Sequence, residues 1–332
     1  MDREKTGLFD LWQRQINYLR ISVTDHCNLN CVYCSVGKME NLKHEDVLSY
    51  EEIEKVVRAA AEMGITKVRL TGGEPLMRPG FHQLVKLIND IDGIDDISLT
   101  TNGILLARFA EELKEAGLNR VNISLDTLKD DRFKKITGLG KLKDVLAGIE
   151  AAHKVGLEPV KINIVVLKGM NEDEVVDFAA KTIKEGWNVR YIEFMPIGTP
   201  NGETSGMVTT GEIMEQIQVL GKLEPYIGPE GNGPARYYRF PDSNGTVGFI
   251  TAMTEHFCST CNRLRMTADG HLRPCLLAEE EVDLKEALRS GASTDDLKSL
   301  ILQGVNLKRE QHNLNGGIAP ETDGRPMCQI GG

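Results

Sequence analysis

The sequence has no apolar run near the ~20 residues that a bilayer-spanning helix requires, so no membrane span is expected. Met1 to Leu11 is mixed and charged and lacks a signal-peptide pattern, so export is not expected. Basic residues are in deficit: 39 Lys and Arg stand against 49 Asp and Glu, a formal net charge of -10. That deficit argues against general nucleic-acid binding. Any anion site must be built locally from a few convergent basic side chains. Repeats, low-complexity tracts and heptads are absent. A disulfide framework is also absent, because six of the seven cysteines fall into two groups; a reducing, cytoplasmic setting is expected. What remains is a chain of 332 residues, 41% hydrophobic, enough for one large domain or a large and a small one.

The first cysteine group is Cys27, Cys31 and Cys34, spaced C-x3-C-x2-C. A loop this short can aim three sulfurs at one object. Cysteine thiolates are the usual ligands of a four-iron cluster, whose fourth iron would here stay open. A structural zinc site completed by His26 or His44 is the alternative, disfavoured because zinc ligands usually come as two separated pairs. The second group is Cys258 and Cys261, with Cys275 fourteen positions later. Here a zinc site completed by His256 or His271 competes with a second three-thiolate cluster. Arg263 and Arg265 stand two apart on a strand-like run between these cysteines and so share a face. Two arginines beside a cluster ask for an anionic ligand, since buried charges need partners.

Residues 1–18 read as a helical or irregular lead-in. Strands are expected at 19–24, 67–71, 96–101, 119–126, 159–167 and 188–195. Ser49 and Glu52 form a capping box for a helix that buries Ile53, Val56, Val57 and Ala60 and ends at Gly64. Further helices are expected at 79–91, 105–116, 130–136, 141–155 and 172–185. Six strand–helix periods give an α/β chain with a parallel sheet. The strands alternate: Arg20, Ser22 and Thr24 oppose Ile21 and Val23, and Lys67, Arg69 and Thr71 oppose Val68 and Leu70. Asn122, Ser124 and Asp126 oppose Val121, Ile123 and Leu125, while Lys161 and Asn163 oppose Ile162 and Ile164. A sheet covered on both faces by helices reads as nearly continuous apolar, and a complete (β/α)8 barrel fills its interior with bulky apolar side chains. This pattern does neither, so it predicts a partial (β/α)6 TIM-like barrel with a wet interior. Gly72-Gly73-Glu74-Pro75 follows the second strand at the end where such folds build their sites. Its glycines permit close backbone approach, and Glu74 is expected to accept a hydrogen bond from an amine. Composition changes after about residue 201, with Gly and Pro dense at 228–234, which divides the chain into 1–200 and 201–332. Short strands at 235–240 and 246–251 and helices at 283–290 and 294–309 are expected there.

Cys27, Cys31 and Cys34, with Tyr33 before the last, resemble the signature of the radical S-adenosylmethionine (SAM) enzymes, and Gly72-Gly73-Glu74-Pro75 resembles their glycine-rich SAM motif. The resemblance implies a partial barrel and a 4Fe-4S cluster whose open iron chelates SAM. Reductive cleavage then yields methionine and a 5′-deoxyadenosyl radical. It also implies SAM contacts at Tyr33, Gly73, Thr100, Ser124, Lys161 and Met195. From about Leu19 onward the chain is similar to the branch of that family that acts on GTP in molybdenum-cofactor biosynthesis; the second triad, Arg263, Arg265 and the closing Gly331-Gly332 carry the likeness. This implies an auxiliary 4Fe-4S cluster on Cys258, Cys261 and Cys275, again with an open iron. GTP contacts are implied at Arg20, Lys67, Arg69, Arg190, Arg263 and Arg265, and catalytic roles for Arg263, Arg265, Gly331 and Gly332. The implied product is 3′,8-cyclo-7,8-dihydro-GTP. The implied partners are a second copy of the chain in a homodimer, an electron donor, and cyclic pyranopterin monophosphate synthase as recipient. Cys328 is expected to be incidental. A peptide-modifying member of the family is expected to carry more auxiliary cysteines than this chain. A zinc-binding scaffold is disfavoured by the acidic charge and the polar barrel face.

Overall fold

The computed structural model describes residues 7–34, 40–195, 207–229, 231, 233–311, 325 and 327–330. Its frame is β1 (Tyr18–Ser22), α1 (Tyr50–Glu62), β2 (Lys67–Thr71), α2 (Phe81–Asn89), β3 (Asp96–Thr101), α3 (Leu106–Glu115) and β4 (Arg120–Ser124). Then come α4 (Asp130–Thr137), α5 (Leu142–Val155), β5 (Lys161–Val166), α6 (Val175–Lys184) and β6 (Asn188–Glu193). These six strands pair in chain order, all parallel. The predicted six-unit α/β frame is therefore present.

The remaining strands extend both edges of this frame. β9 (Thr246–Ile250) adds in parallel beside β6, and β10 (Arg263–Met266) adds in parallel beside β1. β7 (Glu224–Tyr226) and β8 (Arg236–Arg239) finish one edge antiparallel, and β11 (His271–Arg273) and β12 (Val282–Asp283) finish the other. Residues 207 onward thus build on both flanks of one sheet. The division drawn at residue 200 falls within 196–206, outside the described residues. α7 (Thr210–Ile217), capped by Thr209 and Glu212, was not expected from the sequence. α8 (Lys285–Arg289) and α9 (Thr294–Asn306) complete the chain, and α9 packs against α1.

The outward strand face is the core. Ile21, Val68, Leu70, Ile97, Leu99, Val121, Ile123, Ile162, Ile164 and Val189 are all buried there against the helices. The opposite face of the same strands holds the polar residues. Period-2 alternation is therefore the whole reason that the barrel interior is polar.

α1 shows how local chemistry fixes an element. Ser49 Oγ accepts from Glu52 N at 3.1 Å, and Glu52 Oε2 accepts from Ser49 N at 2.7 Å. Ser49→Ala is expected to cost about 1 kcal/mol in urea unfolding, the ordinary worth of an N-cap. The lead-in, by contrast, forms no helix over its described residues. Phe9 bridges Gln15, and Arg14 Nε donates to the buried Asp10 Oδ2 at 2.6 Å. Tertiary contacts to the far end of the chain override any helical preference here. Among the described residues no helix is long and apolar enough to cross a membrane.

Candidate active site

The loop carrying Cys27, Cys31 and Cys34 leaves the end of β1 and is pinned by the Gly-Gly-Glu-Pro turn after β2. Gly73 N donates to Thr24 O at 2.6 Å, and Glu74 N donates to His26 O at 2.7 Å. A Cβ on Gly73 would stand 2.2 Å from His26 O, so only glycine lets these two backbones meet. Glu74 turns inward rather than toward a ligand. It is fully buried and accepts from Leu76 N, Thr101 Oγ1 and Asn102 N at 3.1, 2.8 and 2.7 Å. Burial pushes its carboxyl up to about 7, against the pull of those three donors. The motif's acid thus ties the turn to β3; the expected amine contact is not how its oxygens are used.

Three thiols in this loop act on one another. Burial pushes the Cys27 thiol up to about 11. Cys31 is raised by burial, with Asp126 and Cys27 adding to it. Cys34 is raised first by a hydrogen bond with Cys328 and then by burial. Donors already point at the first sulfur: Leu29 N lies 3.4 Å and Asn102 Nδ2 3.9 Å from Cys27 Sγ. Such donors stabilise a ligating thiolate, so the donor set suits an iron–sulfur cluster. Among the described residues no three His, Cys, Asp or Glu side chains could share a lone metal ion. A cluster requires no such point, because each thiolate binds its own iron.

The second triad is braced by two residues that the sequence did not single out. Cys258, Cys261 and Cys275 line one cavity of about 250 Å³ together with Arg14 and Lys308. Arg14 donates to the carbonyls of Cys258 (2.7 Å), Arg309 (2.7 Å) and Glu310 (3.0 Å). Lys308 Nζ reaches Arg263 O at 2.8 Å, Pro274 O at 2.7 Å and Cys261 Sγ at 3.9 Å. Burial alone would push the Cys261 thiol up, but Arg263 and Lys308 bring it down to about 7. That environment favours thiolate, as a metal site requires. Neither Arg14 nor Lys308 carries a motif; only their distant tertiary partners give them away. Arg14→Ala is expected to destabilise the protein by about 3 kcal/mol, because it removes the guanidinium paired with the buried Asp10 carboxylate, which keeps only its backbone donors Trp12 N and residue 14 N. The loss is read from the urea unfolding midpoint.

A central cavity runs between the two cysteine groups. Its lining includes Tyr33, next to Cys34, and also Phe257 and Leu276, next to Cys258 and Cys275. Arg20, Arg69, Arg190, Arg263 and Arg265 stand between them. Register explains the convergence: Arg20 pairs across the sheet with Arg69 on one side and Arg265 on the other. Burial and the neighbouring Arg265 depress Arg20 well below the usual guanidinium range, and burial with Arg263 brings Arg265 down to about 10. Burial would raise the Tyr18 phenol, yet Arg69, Arg20, Arg263 and Arg120 together lower it. Arg190 Nη2 donates to Asn122 Oδ1 at 2.5 Å, and Arg69 Nε to Ser98 Oγ at 3.1 Å. Tyr18 OH, Thr100 Oγ1, Asn163 Oδ1 and Arg190 Nε are buried on this wall without a hydrogen-bond partner among the described residues. Buried polar atoms in that state mark the outline of a polar ligand.

Thr100, Ser124 and Met195 also line this cavity. Tyr33 OH donates to Asp126 Oδ2 at 2.5 Å, and burial raises the Asp126 carboxyl to about 6. Three expected contacts lie apart from this lining. Gly73 is spent on the backbone approach described above. Lys67 sits at the start of β2, paired in register with Tyr18 and Asp96. Lys161 is buried, its Nζ 3.5 Å from Pro229 O. Gly331 and Gly332 lie outside the described residues. Asp126 and Asn163 were legible as members of the polar face, but Tyr18 was not, since the sequence pattern ends the lead-in at residue 18 and begins the strand at 19, whereas β1 starts at Tyr18.

Comparisons with known proteins bear on the family and the fold. Residues 21–181 match the radical SAM superfamily, and residues 187–314 match the molybdenum cofactor synthesis C family. The chain is 53% identical over 326 residues to a GTP 3′,8-cyclase of Pelotomaculum thermopropionicum, covering 97% of this chain and 99% of that one. It is 49% identical over 324 residues to a GTP 3′,8-cyclase of Moorella thermoacetica, covering 97% and 99%. In fold it is similar to SuiB of Streptococcus suis bound to S-adenosylmethionine, with TM-score 0.60 and 14% identity over 86% of this chain and 68% of that one. The chain belongs to the GTP 3′,8-cyclase family of the radical SAM superfamily.

Proposed function

We propose that this protein converts GTP to 3′,8-cyclo-7,8-dihydro-GTP, the first step of molybdenum-cofactor biosynthesis, using SAM and two 4Fe-4S clusters. One observation carries the reading: a single arginine-walled cavity reaches from the loop of Cys27, Cys31 and Cys34 to the loops of Cys258, Cys261 and Cys275. Each cysteine triad would hold three irons and leave a fourth open. When bound, the first cluster supplies the electron that cleaves SAM and so provides the 5′-deoxyadenosyl radical.

The chain's own residues would bind, orient and enclose. Tyr33, Thr100, Ser124 and Met195 are assigned to SAM, with Gly73 shaping the turn and Lys161 behind the wall. Arg20, Arg69, Arg190, Arg263 and Arg265 are assigned to GTP, with Lys67 at the strand entrance. A triphosphate is recognised by convergent guanidinium groups, which bind its oxygens in pairs. The closely spaced arginines repel one another in the empty site, and a polyanion relieves that repulsion. Gly331 and Gly332 are assigned, by family likeness, to the end of a tail that enters the cavity. Arg263 and Arg265 would hold the nucleotide so that its ribose faces the first cluster and its base the second. A site closed to water protects the nucleotide radical.

By family likeness, a hydrogen atom would pass from C3′ of GTP to the 5′-deoxyadenosyl group, C3′ would bond to C8 of guanine as the C8–N7 double bond opens, and one electron from the one-electron donor with one proton at N7 would complete the dihydro product. GTP deuterated at C3′ should therefore deliver one deuterium to 5′-deoxyadenosine. Unlabelled 5′-deoxyadenosine alongside cyclised product would sink that assignment. A homodimer, a low-potential one-electron donor, hand-off to cyclic pyranopterin monophosphate synthase and a cytoplasmic location complete the reading. These rest on family likeness, and the location also on the seven free cysteines.

A further inference from the structure

The described part of the C-terminal segment is gripped by one guanidinium that makes two forks. Arg325 Nη1 donates to Asp269 Oδ1 at 3.1 Å, and its Nη2 pairs with Asp269 Oδ2 at 3.0 Å. Its Nε pairs with Glu281 Oε1 and its Nη2 donates to Glu281 Oε2, each at 3.0 Å. Both carboxylates are themselves fixed. Thr267 Oγ1 donates to Asp269 Oδ1 at 2.5 Å, and Arg273 pairs with Glu281. Asp269 lies in the connection that leaves β10, the strand of Arg263 and Arg265. Beyond the grip the chain turns inward. Met327 lines the central cavity, as Arg263, Arg265 and Leu276 do. Cys328, Gln329 and Ile330 are buried, and Cys328 O accepts from Ser22 Oγ at 3.3 Å.

We propose that Arg325 is a positioning residue: its double fork on Asp269 and Glu281 holds the C-terminal segment as a wall of the central cavity, so that seating of this segment and binding of the nucleotide are coupled. This rests on the reading that the cavity takes GTP. A planar guanidinium shared by two carboxylates is held in one orientation, which a lone ammonium cannot reproduce. Met327 follows two residues later, at most about 7 Å of chain away, so fixing Arg325 limits where Met327 can stand. Segments near a chain end fray unless they are tied down. Here the ties are the fork, the burial of Cys328 and Ile330, and the Ser22 hydrogen bond. The fork alone is anchored on the part of the fold that also aims Arg263 and Arg265. A nucleotide filling the cavity meets Met327 only when the segment is seated. Linkage then runs both ways: a seated segment tightens nucleotide binding, and bound nucleotide holds the segment by the same factor.

The test is hydrogen–deuterium exchange of the anaerobic, iron-loaded full chain, with and without GTP, followed in the peptide that carries residues 327–330. Arg325→Gln should exchange there roughly tenfold faster than wild type, because local opening becomes easier. Arg325→Lys, which keeps the charge and loses the fork, should fall between the two. Asp269→Asn should also speed exchange, and the double variant should exchange no faster than Arg325→Gln alone, the mark of one shared contact rather than general loosening. GTP should slow exchange in wild type, and calorimetry should show its dissociation constant rising roughly tenfold in Arg325→Gln. Equal exchange in wild type and Arg325→Gln overturns the proposal, as does bound GTP that leaves the wild-type rate unchanged. Failure of wild type to bind GTP overturns the reading of the cavity, and the coupling with it, while exchange without nucleotide still decides whether Arg325 holds the segment.

Discussion

Arg265→Met is expected to weaken GTP binding roughly 30-fold to several-thousand-fold while stabilising the nucleotide-free protein. The two effects have opposite signs because one charge does two things. With GTP present, removing a buried guanidinium leaves phosphate oxygens without their donor, a loss of about 2–5 kcal/mol. In the empty site the same guanidinium is desolvated beside Arg263, and it depresses Arg20 in turn. Exchanging such a charge for an apolar side chain of similar length removes the desolvation cost, so a gain of about 1 kcal/mol is expected. Isothermal titration with GTP and thermal unfolding without it read the two halves. SAM cleavage by dithionite-reduced protein should survive, since Arg265 lies on β10 and outside the loop that carries Cys27, Cys31 and Cys34. Unchanged GTP affinity would remove Arg265 from the site, and a fall in both quantities would mean that its role is structural.

Exchanging a whole cysteine triad for alanine should divide the chemistry in two. With Cys258, Cys261 and Cys275 changed, the protein should retain about four of its roughly eight irons. It should still form 5′-deoxyadenosine but make no cyclised nucleotide. With Cys27, Cys31 and Cys34 changed, about four irons should again remain, yet 5′-deoxyadenosine should vanish entirely. The asymmetry follows from position: Tyr33 and Asp126 join the first triad to the cavity end assigned to SAM. The second triad adjoins the arginine strand instead, through Lys308 and the Arg263 carbonyl. Zinc in place of iron at the second triad would contradict the two-cluster reading. Equal loss of both products from either set would contradict the division of labour.

Much of this arrangement was legible before any coordinates. The bounds expected for β2 and β3 coincide with those observed, because alternation and turn glycines act locally. The polar interior followed from the same alternation, and with it the positions of Arg20, Arg69, Asn163 and Asp126. Three kinds of feature were out of reach. β9 and β10 join the sheet far from their sequence neighbours, and nothing local announces which edge a strand will take. Arg14 acts through backbone carbonyls 244 to 296 residues away, and Lys308 through carbonyls 34 and 45 residues away, so their type alone says nothing. Cys328 was set aside because an open iron asks for no fourth thiolate; that it is buried, with its carbonyl accepting from Ser22 Oγ, is a tertiary fact no local pattern announces. Glu74 taught the reverse lesson, since a motif acid expected to meet an amine proved to be an interior brace.

The most direct test is an anaerobic assay of iron-reconstituted protein with SAM, dithionite and GTP, reading 5′-deoxyadenosine and cyclised nucleotide together. Cyclised nucleotide should form from GTP, and 5′-deoxyadenosine should rise with it above the level formed without GTP. If 5′-deoxyadenosine forms while GTP stays intact, the assignment of the arginine-walled cavity to GTP is wrong. If neither forms despite a full load of iron, the reading of Cys27, Cys31 and Cys34 as ligands that leave one iron open for SAM is contradicted.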